Sequence, residues 1–157
     1  MKFQSIIKNL SLVTDVDAHC DIPCGIYDPI VAKIAAQTVL KMAVRLEAVD
    51  FSGGPNSVEV PNTVARLIHV KEEHAQKVKE ELNILWADYF KPEHLEKYPN
   101  LHELFWNTNK LAGANKQTVS SNSAKKLVGH VDEIAKIFWA TKGVDYNDSV
   151  ADIRFGA

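Results

Sequence analysis

The run Ala124-Lys125-Lys126-Leu127-Val128-Gly129-His130-Val131-Asp132-Glu133-Ile134-Ala135-Lys136-Ile137-Phe138 decides the architecture. Leu127, Val131, Ile134 and Phe138 recur every three or four residues, the spacing of one face of a helix. Asp132, Glu133 and Lys136 lie among the positions between them. A helix with one apolar stripe must bury it against other helices. The pattern predicts a helix that ends before Gly143, preceded by a polar loop over residues 115 to 123 with Ser121 or Ser123 as its cap.

Reading outward toward the N-terminus, Leu101, Leu104, Phe105, Thr108 and Leu111 mark a shorter helix ending near Gly113. Lys91-Pro92 and Tyr98-Pro99 bracket an irregular connection before it. Val64, Leu67, Ala75, Val78, Leu82 and Leu85 stripe a long helix from near Pro61 to Tyr89. Ahead of it, Ser52-Gly53-Gly54-Pro55-Asn56 is a turn-rich break. The first helix starts at Asp28-Pro29, with Asp as N-cap and Pro at the first helical position. Its stripe is Val31, Ala35, Thr38, Met42, Leu46 and Val49, which carries it to residue 50. Four amphipathic helices imply an all-α, antiparallel four-helix bundle. The tail, residues 143 to 157, has no strong period and reads as coil.

The chain of 157 residues is long enough for one domain with a sizeable core. Its formal charge of −2 gives no drive toward nucleic acid or an anionic membrane. No stretch is apolar for the length a bilayer needs. Lys8, Asn9 and Ser11 interrupt any apolar run in residues 1 to 18, so this segment does not read as a secretory signal, and the expected location is the cytoplasm. Both cysteines fall in His19-Cys20-Asp21-Ile22-Pro23-Cys24-Gly25. Two are too few for a secreted disulfide framework. By spacing alone they read as a small-loop disulfide, as free thiols, or as a metal site with the adjacent histidine. Paired Glu-x-x-His motifs, a Gly-rich phosphate loop and a Ser-centred triad motif are all missing from the sequence.

Continued by Ile26-Tyr27-Asp28-Pro29, the cysteine run resembles the N-terminal metal hook of the nickel superoxide dismutase family. Further blocks are similar to that family: Leu85-Trp86-Ala87-Asp88-Tyr89-Phe90-Lys91-Pro92, then His94, Glu96-Lys97-Tyr98-Pro99, Leu101-His102, Ile134, and Lys136-Ile137-Phe138-Trp139. The resemblance spans residues 19 to 142. It implies a leader, residues 1 to 18, cut by a peptidase between Ala18 and His19, then a hook over 19–28 and a bundle over 29–142. It also implies one nickel ion per subunit, superoxide as substrate, Ni(III)/Ni(II) cycling and a homohexamer.

In a chain that begins at His19, the terminal amine, the Cys20 amide nitrogen and the Cys20 and Cys24 sulfurs make a planar set of two nitrogens and two thiolates. Such a set suits Ni(II) or Cu(II) rather than zinc. The His19 ring is tethered close enough to bind axially. Pro23 restricts the backbone between the sulfurs and Gly25 permits a sharp turn behind them. The resemblance gives the backbone N–H groups of Asp21 and Cys24 to the vacant axial side, Tyr27 to the entrance and Tyr89 to a position near the site. Lys91 could steer an anion. The plainer readings are packing for both tyrosines and a solvated face for Lys91.

Two positions depart from the family. A glutamate that orients the axial histidine aligns with Ala35, and the arginine that completes that network aligns with His74. As possible ligands, His69, His74, His94, His102 and His130 all read instead as surface or packing residues. The competing functions are a non-enzymatic nickel- or copper-binding bundle and an interaction bundle with a Cys20–Cys24 disulfide.

Overall fold

The computed structural model describes residues 25–52 and 58–156, and among them all regular structure is helical. Six helices follow in order: α1 (Ile30–Glu47), α2 (Glu59–Ile84), α3 (Pro92–Lys97), α4 (Leu101–Gln117), α5 (Ser121–Thr141) and α6 (Ala151–Phe155). The four long helices pack in a ring, α1 on α2, α2 on α4, α4 on α5 and α5 on α1. Only three residues separate α4 from α5, so the chain reverses there. Glu47 at the end of α1 accepts the Ser121 N–H at the start of α5 (2.7 Å), which sets those two neighbours antiparallel as well.

The stripe on α5 is buried as expected, with Leu127, Val131, Ile134 and Phe138 all at 0% exposure. Burying a side chain of this size stabilises the fold by about 1.5–3 kcal/mol. In α1 the stripe runs in a different phase. Ala32, Ala36, Val39, Ala43 and Leu46 are buried along with Ala35, while Val31, Thr38 and Met42 are only half-buried. Alanine carries little apolar area but lets two backbones approach closely, and here close approach wins over side-chain size. The same helix opens one residue later than expected, at Ile30 with Pro29 rather than Asp28 as its N-cap, and Asp28 Oδ1 accepts the Ile30 N–H at 2.8 Å just ahead of it. It ends at Glu47, three residues short of the expected limit.

Lys71 sits within the apolar stripe of α2 and is 2% exposed. Its ammonium donates to the carbonyls of Asn115, Lys116 (3.0 Å) and Thr118 (2.9 Å), the groups left without partners where α4 ends. This cation explains why α4 runs past Gly113 to Gln117. Asn115, also buried, holds the next link through Ser123 Oγ (3.1 Å). The expected loop over 115–123 therefore shrinks to 118–120. The cap of α5 is Ser120, whose hydroxyl accepts the Ser123 N–H, rather than Ser121 or Ser123.

Two segments expected to be irregular contain helix. Pro92 starts α3, where fixed φ and a missing N–H suit a first turn. The tail carries α6 and is clamped to the bundle. Asp148 pairs with Arg154 (2.8 Å) and with buried Lys33 (3.0 Å), which also binds Asp132 (2.6 Å). Gln37 donates to Ala151 O and accepts from Arg154, and Lys41 donates to Phe155 O. Ionic and amide contacts, rather than an apolar stripe, hold this tail in place.

Candidate functional site

The hook residues His19, Cys20, Asp21, Pro23 and Cys24, and the leader before them, lie outside the described residues. What is described is the chain that follows them and the end of the bundle it enters. Gly25 has φ of 75°, the left-handed conformation that favours glycine, and among the described residues beyond its chain neighbours no atom lies within 4 Å of where a Cβ would stand. Tyr27 follows, half-buried against the core. Its ring meets that of Tyr89 at 5.7 Å between centroids. Asp28 then accepts the Ile30 N–H at the start of α1. Within four residues the chain turns, anchors a tyrosine and starts a helix.

Tyr89 is delivered by an irregularity. At the end of α2 the chain adds a π-helical turn, Leu85–Tyr89, closed by the Phe90 N–H on Leu85 O at 3.1 Å. Such turns re-aim side chains relative to the preceding α-helix. Tyr89 packs on Phe138 (4.4 Å), on Phe90 (5.1 Å) and flat against His94 (5.7 Å, 19°). Its hydroxyl lies 2.5 Å from Thr141 Oγ1. Thr141 donates its own proton to Phe138 O (2.6 Å), so the Tyr89 hydroxyl is the donor of the pair.

Lys142 places its ammonium 5.3 Å over the Tyr89 ring. Lys91 is exposed nearby in sequence, and its N–H donates to His94 Nδ1 (3.1 Å). The structure thus brings Tyr27 and Tyr89 together and adds Thr141, Lys142 and His94 around them. Thr141 and Tyr89 are 52 positions apart, and no local pattern marks the pair.

The two departures have definite settings. Ala35 is 1% exposed within the core cluster. His74 is half-buried on α2, and its Nδ1 lies 2.9 Å from Val70 O, one turn earlier on the same helix. A carbonyl can only accept, so Nδ1 carries a proton.

Around the tail, burial alone would push the Lys33 ammonium down, but Asp132 and Asp148 outweigh it and raise it. Arg154, joined by Lys33, holds the Asp148 carboxyl at about 2. Among the described residues, no three or more His, Cys, Asp or Glu side chains are placed to hold a metal ion. No helix among them is long and apolar enough to cross a membrane.

The family model described as nickel-containing superoxide dismutase matches residues 14–142. The chain is 39% identical over 127 residues to the nickel superoxide dismutases of Streptomyces coelicolor and Streptomyces seoulensis, covering 81% of this chain and 90% of each relative. It superposes on the native 1.30 Å structure of a nickel superoxide dismutase with a TM-score of 0.71 and 37% identity, over 80% of this chain and 100% of that one.

Proposed function

The chain belongs to the nickel-containing superoxide dismutase family, and from that premise we propose that His19, Cys20 and Cys24 hold the nickel ion of the subunit. The reaction is the disproportionation of superoxide to dioxygen and hydrogen peroxide. One observation carries the assignment: a single uninterrupted match over residues 14–142 takes in both the hook and the bundle that receives it. The donor set fits the metal. Two thiolates with an amine and an imidazole are soft and borderline ligands that suit nickel and stabilise its higher oxidation state. When bound, nickel supplies the one-electron couple that takes an electron from one superoxide and returns it to another.

The remaining work falls to the chain. Tyr27, held against Tyr89, stands at the entrance and limits access to a small anion. The backbone N–H groups of Asp21 and Cys24 receive that anion, and Pro23 limits the conformations of the loop between the sulfurs. Tyr89 is held in place by Thr141, to which its hydroxyl donates. Lys91 and Lys142 add positive charge on the approach, which favours an anionic substrate at low salt. His74, with its ring held by Nδ1 on Val70 O, takes the place of the family arginine and orients the His19 ring.

The leader is removed between Ala18 and His19 by a peptidase, and the mature subunits form a homohexamer in the cytoplasm. The family resemblance supports the cut and the hexamer, and the broken apolar run of residues 1 to 18 supports the location.

The test is to load protein beginning at His19 with nickel, measure metal content and follow superoxide decay by stopped flow. Nickel near one per chain with rapid decay is expected, and Cys20→Ser or Cys24→Ser should abolish both. Stoichiometric zinc in the active fraction, or a Cys20→Ser chain that still dismutes, would overturn the ligand assignment.

A further inference from the structure

A cleft of about 320 Å³ opens between α2 and α4. Lys79 on α2 and Trp86 on the π-turn that follows it line one wall. Trp106, Asn109 and Lys110, on one face of α4, line the other. Small-molecule sites run from about 300 to 1,000 Å³, so this one has room for one ring system and one charged group.

Three features set it apart from a plain solvated face. The first is aromatic. Trp106 is 58% exposed, although tryptophan is a residue that folding usually buries. Trp86 stands behind the cleft, packed on Phe105 (5.2 Å) and against His102 (5.4 Å), and makes its wall rigid. The second is charge of one sign. Lys79 and Lys110 line the cleft and no carboxylate does. Half-buried Lys79 has no ion-pair partner among the described residues. The Lys110 ammonium rests 4.5 Å from the centre of the Trp106 ring.

The third is an acceptor without a donor. Asn109 Nδ2 donates to Phe105 O at 3.1 Å, which fixes which way the amide faces. Its Oδ1 is buried and has no hydrogen-bond partner among the described residues. Leaving a buried acceptor unpaired costs stability. A leucine at this position would avoid that cost, so the amide is better suited to binding than to packing.

We propose that this cleft binds a planar heteroaromatic phosphate of the nucleoside monophosphate class. The base stacks on tryptophan, and its amino or ring N–H supplies the donor that Asn109 Oδ1 lacks. The phosphate sits with the ammonium groups of Lys79 and Lys110. Lysines are point charges that suit a phosphate, whereas planar, two-pronged recognition is the work of arginine, and the cleft has none. On binding, Lys110 leaves the Trp106 ring for the phosphate, which bares that face to the base and admits the ring edge to Asn109. An exposed cation–ring contact is weak, so the exchange is cheap. The site is built from α2, the π-turn and α4 alone and does not depend on the hook or its metal.

The experiment uses the full chain labelled with 5-fluorotryptophan, its assembly mass recorded first by light scattering. The chain has three tryptophans, and Trp139, packed against Tyr146 at the tail, serves as internal control. Adenosine 5′-monophosphate should shift the fluorine signals of Trp86 and Trp106, leave that of Trp139 in place, and bind with a Kd of about 10–100 μM. Adenosine alone and inorganic phosphate alone should each bind about 10-fold more weakly or worse. Lys79→Gln should weaken the nucleotide about 5-fold and flatten its dependence on salt. Asn109→Leu should weaken it about 5-fold while raising the urea midpoint, a pairing that a purely structural asparagine would not give. No shift at Trp86 and Trp106 by about 5 mM nucleotide would overturn the site. So would phosphate binding as tightly as the nucleotide, an equal shift at Trp139, or unchanged affinity in Asn109→Leu. A Trp106→Ser chain of altered assembly mass, with the wild type blind to the nucleotide, would make this face a subunit contact and overturn the proposal as well.

Discussion

The Tyr89 hydroxyl donates to Thr141 Oγ1 at 2.5 Å, and Thr141 in turn donates to Phe138 O at 2.6 Å. This chain of two bonds ties the π-turn after α2 to the last turn of α5. It orients the ring that Tyr27 meets at 5.7 Å, just ahead of α1.

Thr141→Val keeps the shape of the side chain and removes the acceptor. The half-buried Tyr89 hydroxyl then loses its partner, a cost of about 1–3 kcal/mol. Urea denaturation should show that loss, and Thr141→Ser should recover most of it. The same valine variant should lower kcat/KM for superoxide with nickel content unchanged, since it disturbs Tyr89 rather than a metal ligand. Stability and activity both at wild-type level would remove Thr141 from the site.

The tail clamp gives a pH signature. Asp148 is held at about 2, below its ordinary 3.8, by its pairing with Arg154 and then with Lys33. A folded value below the unfolded one means stabilisation that is complete above about pH 4 and fades as pH falls toward 2, worth about 2 kcal/mol at neutrality. Wild type should therefore exceed Asp148→Asn in stability at pH 7, and the gap should narrow between pH 4 and pH 2. Fluorescence of Trp139, on which Tyr146 stacks, reports the docking directly. A gap that stays constant across that window would show that the carboxylate charge contributes nothing.

Lys71→Met tests the buried cation. Burial pushes the Lys71 ammonium down, yet it remains the partner of three carbonyls at the end of α4. Methionine fills the space and leaves those acceptors bare, which should cost about 2–4 kcal/mol. Amide exchange should speed up most at residues 115–120. Uniform destabilisation with no local change there would mean that Lys71 acts through packing alone.

How far the fold could be read in advance follows from the range of each contact. The α5 stripe was legible because Leu127, Val131, Ile134 and Phe138 are large and evenly spaced. The α1 stripe was misphased because its buried positions are mostly alanines, which carry weak hydropathic signal. The tail looked unstructured because its anchors are Lys33 and Gln37, more than a hundred residues away. At the site, Tyr27 and Tyr89 were named from resemblance and do meet. Thr141 and Lys142 were not foreseen, because a partner on another helix leaves no local pattern. Ser120 was missed as the cap because the end of α4 is set by Lys71, on a third helix.

The leader should act as an off-switch for the hook. With Ala18 attached, the backbone nitrogen of His19 is an amide; after cleavage it is an amine whose pKa is about 8. An amine yields a lone pair to a metal at modest proton cost near neutral pH, whereas an amide must lose a far less acidic proton. Metal affinity tracks ligand deprotonation, so the uncut chain should hold nickel weakly or through another donor set. The comparison is between full-length protein and protein beginning at His19, both loaded with nickel at pH 7.5 to 8. Tight nickel retention, a rhombic Ni(III) electron paramagnetic resonance signal with nitrogen splitting, and superoxide decay should belong to the shorter chain alone. His19→Ala in that chain keeps the amine and should retain nickel while losing most activity, which separates the amine from the ring. Full-length protein of equal activity, with Ala18 shown by intact mass to be still attached, would refute the amine as a ligand.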